Sequence, residues 1–157
     1  MKDAPAPSSA YLFAGGGTGG HLYPALAIIE QIRLLNPAAH CEILCSERPI
    51  DQSILEPLGI PFAPIPARPF GTRPRAVLRF IPSWGPSVRQ TREAIRRLKR
   101  SHDRVTLVAM GGFVAAPAAR AARCEHIRVV LVNLDAVPGK ANELIARRAH
   151  AAYTASQ

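Results

Sequence analysis

Tyr11-Leu12-Phe13-Ala14-Gly15-Gly16-Gly17-Thr18-Gly19-Gly20-His21-Leu22-Tyr23-Pro24 changes from apolar to glycine-rich to amphipathic within fourteen residues. Its first four residues read as a short buried strand, Gly15 to Gly20 as a tight turn, and His21 to Leu35 as a helix. Leu22, Leu26, Ile29 and Leu35 give that helix a loose apolar stripe. Pro24 is tolerated in a first turn, where its missing N–H is no loss. A strand, a glycine loop and a helix in this order make the opening unit of a doubly wound α/β sheet.

The same alternation continues outward. Cys41 to Cys45 reads as a second strand, Ile50 to Leu58 as a short helix ending near Gly59, and Phe62 to Ile65 as a third strand. Val105 to Met110 is a continuous apolar run of the kind buried on both faces of a parallel sheet. Gly111-Gly112 then turns it into a helix from Phe113 to Cys124. Ile127 to Leu131, Asn142 to Arg148 and Ala149 to Tyr153 extend the pattern as strand, helix and strand. The expectation is a Rossmann-like α/β domain over residues 11–157, preceded by a flexible lead-in over residues 1–10.

Between these elements lies a less regular region. Seven of the 15 prolines fall between Pro57 and Pro82, which predicts a stiff, irregular excursion at about residues 66–86. Ser87-x-x-Gln90 has the pattern of a capping box, so the next helix is expected to start at Ser87 and run to about Ser101.

A length of 157 residues holds one core and leaves no room for a second full lobe. Apolar residues make up 48% and charged residues 20%, which excludes a disordered chain. The formal net charge is +9, and Arg68 to Arg104, with eleven Arg or Lys against two acids, holds all of it. Such a patch expects an anionic partner. The apolar run before the glycines is too short for a signal peptide, and no stretch is long enough to span a membrane. Cys41, Cys45 and Cys124 are an odd number, and the first two sit in a strand, so they are expected as buried small hydrophobes without disulfide or metal.

In a parallel sheet both glycine turns, Gly15–Gly20 and Gly111–Gly112, open on the carboxyl-terminal edge. Glycine lets backbone N–H groups approach a phosphate, and the helix that follows directs its positive end at the anion, so a diphosphate is the natural guest. Gly15-x-Gly17-x-x-Gly20 also fits the dinucleotide fingerprint, with Glu42 or Glu47 placed to hold a ribose. An NAD-type domain of an oxidoreductase is therefore one alternative, and a non-enzymatic membrane or nucleic-acid adaptor another.

The full string Gly16-Gly17-Thr18-Gly19-Gly20-His21-x-x-Pro24 goes beyond that fingerprint. With Met110-Gly111-Gly112-Phe113-Val114, Pro117 and Pro138-Gly139-x-x-Asn142, it resembles the amino-terminal half of glycosyltransferase family 28. These bacterial enzymes add GlcNAc to undecaprenyl-diphosphate-MurNAc-pentapeptide in making the peptidoglycan precursor. The resemblance runs from Tyr11 to Tyr153 and implies one half of a GT-B architecture, the half that receives the lipid acceptor. The donor domain for UDP-GlcNAc is expected on the same or another chain, and these 157 residues alone are expected to transfer no sugar.

The resemblance implies that Gly16, Gly17, Thr18, Gly19, Gly20, Gly111, Gly112, Phe113 and Asn142 surround the acceptor diphosphate or sugar. His21 becomes the candidate general base for inverting transfer, or else a passive phosphate contact. Relatives carry His-Glu-Gln-Asn where this chain has Val132-Asn133-Leu134-Asp135, and commonly Tyr where it has Phe113. Asn133 and Asp135 are candidate substitutes for the lost polar contacts. Phe70, Arg73, Arg75, Leu78, Arg79, Phe80, Ile81 and Trp84 mix aromatics with cations as a surface for acidic lipid does, which places the protein on the cytoplasmic face of the membrane. The same residues could instead form core and solvated face, or a single-strand surface, although nucleic acid is the weaker reading. No cofactor and no metal are expected.

Overall fold

A computed structural model of the chain describes residues 8–17, 19–69, 74–135 and 139–154; within these, the side chains at 74–77 and 79 are not described. The chain order is β1 (Ser9–Ala14), α1 (Gly19–Leu35), β2 (His40–Ser46), α2 (Pro49–Leu55) with a 3-10 turn at Glu56–Leu58, and β3 (Phe62–Ile65). It continues with α3 (Pro74–Ser101), β4 (Arg104–Ala109), α4 (Gly112–Cys124), β5 (Arg128–Asn133), α5 (Lys140–Ala146) and β6 (Ala151–Thr154). All strand pairs are parallel, in the order β3-β2-β1-β4-β5-β6. The strand order reverses between β1 and β4, whose carboxyl ends carry the two glycine turns. The expected Rossmann-like sheet is the sheet that forms.

Alternation along the strands divides the core between the two faces. Leu12, Ala14, Leu107 and Ala109 pack beneath α3, α4 and α5, with Ile95, Leu98, Ile145 and the α4 alanines. Phe13, Ile43 and Val108 point the other way, to Leu22 and Ile29 of α1 and Leu55 of α2. The alanines of α4, among them Ala115, Ala118 and Ala122, are fully buried and carry side chains short enough to bring the helix close to the sheet.

Several boundaries differ from the sequence reading for identifiable reasons. Order begins before residue 11: the Ser8 N–H and hydroxyl both donate to Asp103, which ties the chain start to the loop before β4. Helix α1 starts at Gly19, so Pro24 is its sixth residue, two past the first four. Its buried stripe is Leu22, Ala25 and Ile29, while Leu35 is exposed.

The largest correction concerns the excursion, whose second half is helical. Helix α3 runs unbroken from Pro74 through Pro82 and Pro86. Ser87 is mid-helix and caps nothing, its hydroxyl donating to the Ser83 carbonyl at 2.7 Å. Ser83 and Thr91 bond back to Phe80 and Ser87 in the same way, at 2.7 and 2.8 Å. Ser87, Thr91, Ile95 and Leu98 form one buried stripe along α3, which packs chiefly on α4 and also on β3 and β4, and this tertiary packing outweighs the local proline signal.

Basic side chains along α3 pair with acids on neighbouring elements. Arg92 and Arg96 converge on Glu125 at 2.6 and 2.9 Å, and Arg97 reaches the buried Glu42 at 2.6 Å. The Arg96 and Arg92 guanidiniums hold the Glu125 carboxyl below the usual carboxylate range. Among the described residues no helix is long and apolar enough to cross a membrane.

Cys41 and Cys45 face the α1 side of the sheet, buried among Phe13, Ile29 and Ile43. Burial, with help from the Asp51 charge, pushes the Cys45 thiol up to about 12, and burial raises Cys41 as well. Since the thiolate is the reactive form, the native chain should show one fast-reacting thiol to Ellman's reagent, the half-buried Cys124, with the other two released only on unfolding. Two or three fast thiols would show that the inner face of β2 is open to solvent.

Candidate functional site

The site grows from the carboxyl ends of β1 and β4. After Ala14 the backbone turns through Gly16 and Gly17, both at positive φ, before α1 begins. After Ala109 it turns through Gly111 and Gly112, at φ 97° and 72°. His21, in the first turn of α1, lies between the two turns. A methyl group built on Gly111 would stand 3.2 Å from His21 Cε1, and one built on Gly112 would stand 3.2 Å from Nε2. Glycine is required at both positions, by the left-handed backbone and by the space the imidazole takes.

Asn142 of α5 closes the far side of Gly111. Its Nδ2 donates to Asn133 Oδ1 at 2.8 Å, and Asn133 Nδ2 donates to the Asp135 carbonyl at 2.8 Å. Both amides are 3% exposed, so Asn133 faces inward as a support for Asn142, while Asp135 is on the surface. Asn142 Oδ1 and His21 Nδ1 are buried with no hydrogen-bond partner among the described residues.

Phe113 packs its ring edge on Gly17, where a methyl group would come within 2.5 Å of Cε1. The Arg48 guanidinium lies over that ring, 5.1 Å from its centroid, and donates to the Gly17 carbonyl at 2.7 Å. Beneath the loop sits Asp51, fully buried. It accepts from the Gly17 N–H at 2.8 Å, the Ser46 N–H at 2.9 Å and the Ser46 hydroxyl at 2.5 Å.

Sequence reasoning missed Asp51, Ser46 and Arg48. The signal available for Asp51 was an acid in the first turn of the helix after β2, a position that alone says only that the charge suits the helix dipole.

Asp51 also corrects an expectation about the cradle. The Gly17 N–H is spent on the carboxylate and does not point at a ligand, whereas the first N–H groups of α1 and α4 have no acceptor within their own helices. Of the two acids expected to hold a ribose, Glu42 is excluded: it is 4% exposed and bound by Arg97 on the α3 side of the sheet. Glu47, just past β2, is half-exposed and paired with Arg68 at 2.8 Å.

Of the remaining expected residues, Thr18, Phe70 and Arg73 lie outside the described set. Gly19 and Gly20 form the first turn of α1. Arg75 and Arg79 fall on α3, together with Leu78 and Ile81, which are 72% and 65% exposed. The Phe80 and Trp84 rings meet at 5.5 Å. Trp84 also lines a groove of about 260 Å³ that reaches Arg120 and Arg123 of α4 and Leu144 and Arg148 next to it, an extension the sequence did not reveal.

The glycosyltransferase family 28 N-terminal domain matches residues 11–154. The UDP-N-acetylglucosamine–N-acetylmuramyl-(pentapeptide) pyrophosphoryl-undecaprenol N-acetylglucosamine transferase of Leifsonia xyli subsp. xyli is 38% identical over 140 residues, which span 88% of this chain and 38% of that protein. The enzyme of that name (number 2) in Bacillus thuringiensis is 33% identical over 141 residues, 87% of this chain and 36% of that protein. The chain thus spans well under half the length of these relatives. The crystal structure of MurG from Acinetobacter baumannii superposes with a TM-score of 0.72 at 26% identity, over 95% of this chain and 42% of that one. Fold, glycine turns and the extent of the match agree, and the chain belongs to the glycosyltransferase family 28 N-terminal domain family.

Proposed function

We propose that this domain receives a polyprenyl-diphosphate-linked sugar at the cytoplasmic face of the membrane and presents its hydroxyl for inverting transfer of GlcNAc from UDP-GlcNAc. The observation that carries the reading is the convergence of two glycine turns on His21 at the point where the strand order reverses. That crevice is where open α/β sheets bind ligands. The N–H groups opening α1 and α4 supply donors and partial positive charge for the diphosphate. His21 Nε2, beside Gly112, would take the proton of the acceptor hydroxyl as its oxygen attacks the anomeric carbon and UDP departs from the opposite face. The nucleotide-sugar site belongs to a donor domain outside these residues.

Membrane approach falls to the exposed Leu78 and Ile81 with the Phe80–Trp84 pair, and the groove from Trp84 to Arg120, Arg123 and Arg148 adds cations beside them. Each such cation near an anionic surface is worth roughly 1 kcal/mol. Trp84 is the chain's only tryptophan, so its fluorescence reports on this surface directly. Titration with acidic vesicles should shift its emission, and vesicles that also carry polyprenyl-diphosphate-MurNAc-pentapeptide should bind more tightly. Arg120→Glu with Arg123→Glu should weaken binding to both by about tenfold or more, in line with two charge reversals at the surface. Equal affinity for vesicles with and without acceptor would remove the acceptor reading and leave a basic membrane surface.

A further inference from the structure

We infer that Asn142 is a positioning residue that fixes the tautomer of His21, holding the proton on Nδ1 and leaving the Nε2 lone pair beside Gly112. Hydrogen-bond direction is fixed step by step along a chain of two buried amides. The Asp135 carbonyl can only accept, so the Asn133 amide must present Nδ2 to it, at 2.8 Å. That turns Asn133 Oδ1 toward Asn142, which must then present Nδ2, again at 2.8 Å. Asn142 Oδ1 is left as a buried acceptor that no described group satisfies.

A buried polar atom of this kind calls for a donor. His21 Nδ1 is the complementary orphan, also buried and unpartnered. The two side chains border the same point beside Gly111, where one methyl-sized volume lies 3.2 Å from the imidazole Cε1 and 3.1 and 3.3 Å from Asn142 Nδ2 and Oδ1. A hydrogen bond between them, direct or through one water, satisfies both atoms at once. It requires hydrogen on Nδ1. A backbone carbonyl at the end of β5 thereby sets which imidazole nitrogen is basic, by way of two amides whose orientation is not free.

The consequence for transfer rests on the reading of His21 as the base, but the tautomer does not, and the two can be tested apart. Nitrogen-15 NMR of the chain labelled at histidine, with His21 assigned by His21→Gln and observed where its ring is neutral, reports the protonated nitrogen directly. The expected result is the Nδ1–H form in the wild-type chain. In Asn142→Leu that form should be lost in favour of Nε2–H, the preferred form of an unrestrained histidine.

Asn133→Asp is the control. It removes the donor to the Asp135 carbonyl yet still accepts from Asn142 Nδ2, so the Nδ1–H form should persist although the local packing is disturbed. An Nε2–H wild type overturns the inference whatever the variants do, as does an unchanged tautomer in a folded Asn142→Leu. A locked Nδ1–H form in a chain that binds no acceptor would leave the inference standing and overturn the proposed function instead.

Discussion

Replacing Asp51 by alanine should destabilise the chain by about 3–5 kcal/mol, seen in urea unfolding as a lowered midpoint with an unchanged slope. The carboxylate is fully buried and takes bonds from the Gly17 N–H, the Ser46 N–H and the Ser46 hydroxyl. Alanine leaves these donors inside the protein without an acceptor, at about 1–3 kcal/mol for each that finds no other partner. The serine hydroxyl can rotate away, which holds the sum below three full penalties.

Asp51→Asn should cost less, roughly half, because an amide oxygen still accepts while its NH2 is turned against donors. Both variants should also loosen the turn between β1 and α1, since Gly17 is positioned by this bond and by Arg48 on its carbonyl. A loss under about 1 kcal/mol in Asp51→Ala would show that the positive-φ glycines and Arg48 hold the turn unaided.

Legibility from the sequence followed the range of the interactions concerned. The parallel sheet could be read because each strand carries its own apolar signal and each glycine turn its own backbone requirement, both local properties. Helix α3 could not, because the prolines at 82 and 86 are local signals against a helix, whereas the burial of Ser87, Thr91, Ile95 and Leu98 that sustains it depends on α4 and the sheet, elements distant in sequence. His21 stood out by its position next to a glycine loop. Asp51 did not, because its partners Gly17 and Ser46 are 34 and 5 residues away and nothing in the spacing announces them. Asn133 was placed in the right neighbourhood as a ligand contact, and the structure turns it inward as the support of Asn142. A polar residue at the end of a strand can face either way, and only the positions of α5 and β5 decide which.

In a protein that joins this domain to a UDP-GlcNAc-binding domain, His21→Ala should lower kcat for transfer by about 10²–10⁴-fold with little change in the KM for acceptor, the range expected on losing a general base. The kinetic split separates the two roles a histidine can play here. A passive phosphate contact would appear as weaker acceptor binding with kcat nearly intact. Gly112→Ala tests the same group from the other side of the cleft. Its methyl would stand 3.1 Å from His21 Cδ2 on a backbone at φ 72°, so the ring, the turn or both must move. A displacement of about 1 Å at a reacting group costs on the order of 10²-fold. If the glycine acts on rate only by leaving room for the imidazole, the double variant should be no slower than His21→Ala alone, because a misplaced base and an absent one are the same loss. Additive losses would mean instead that Gly112 serves the acceptor directly, through the N–H groups that open α4.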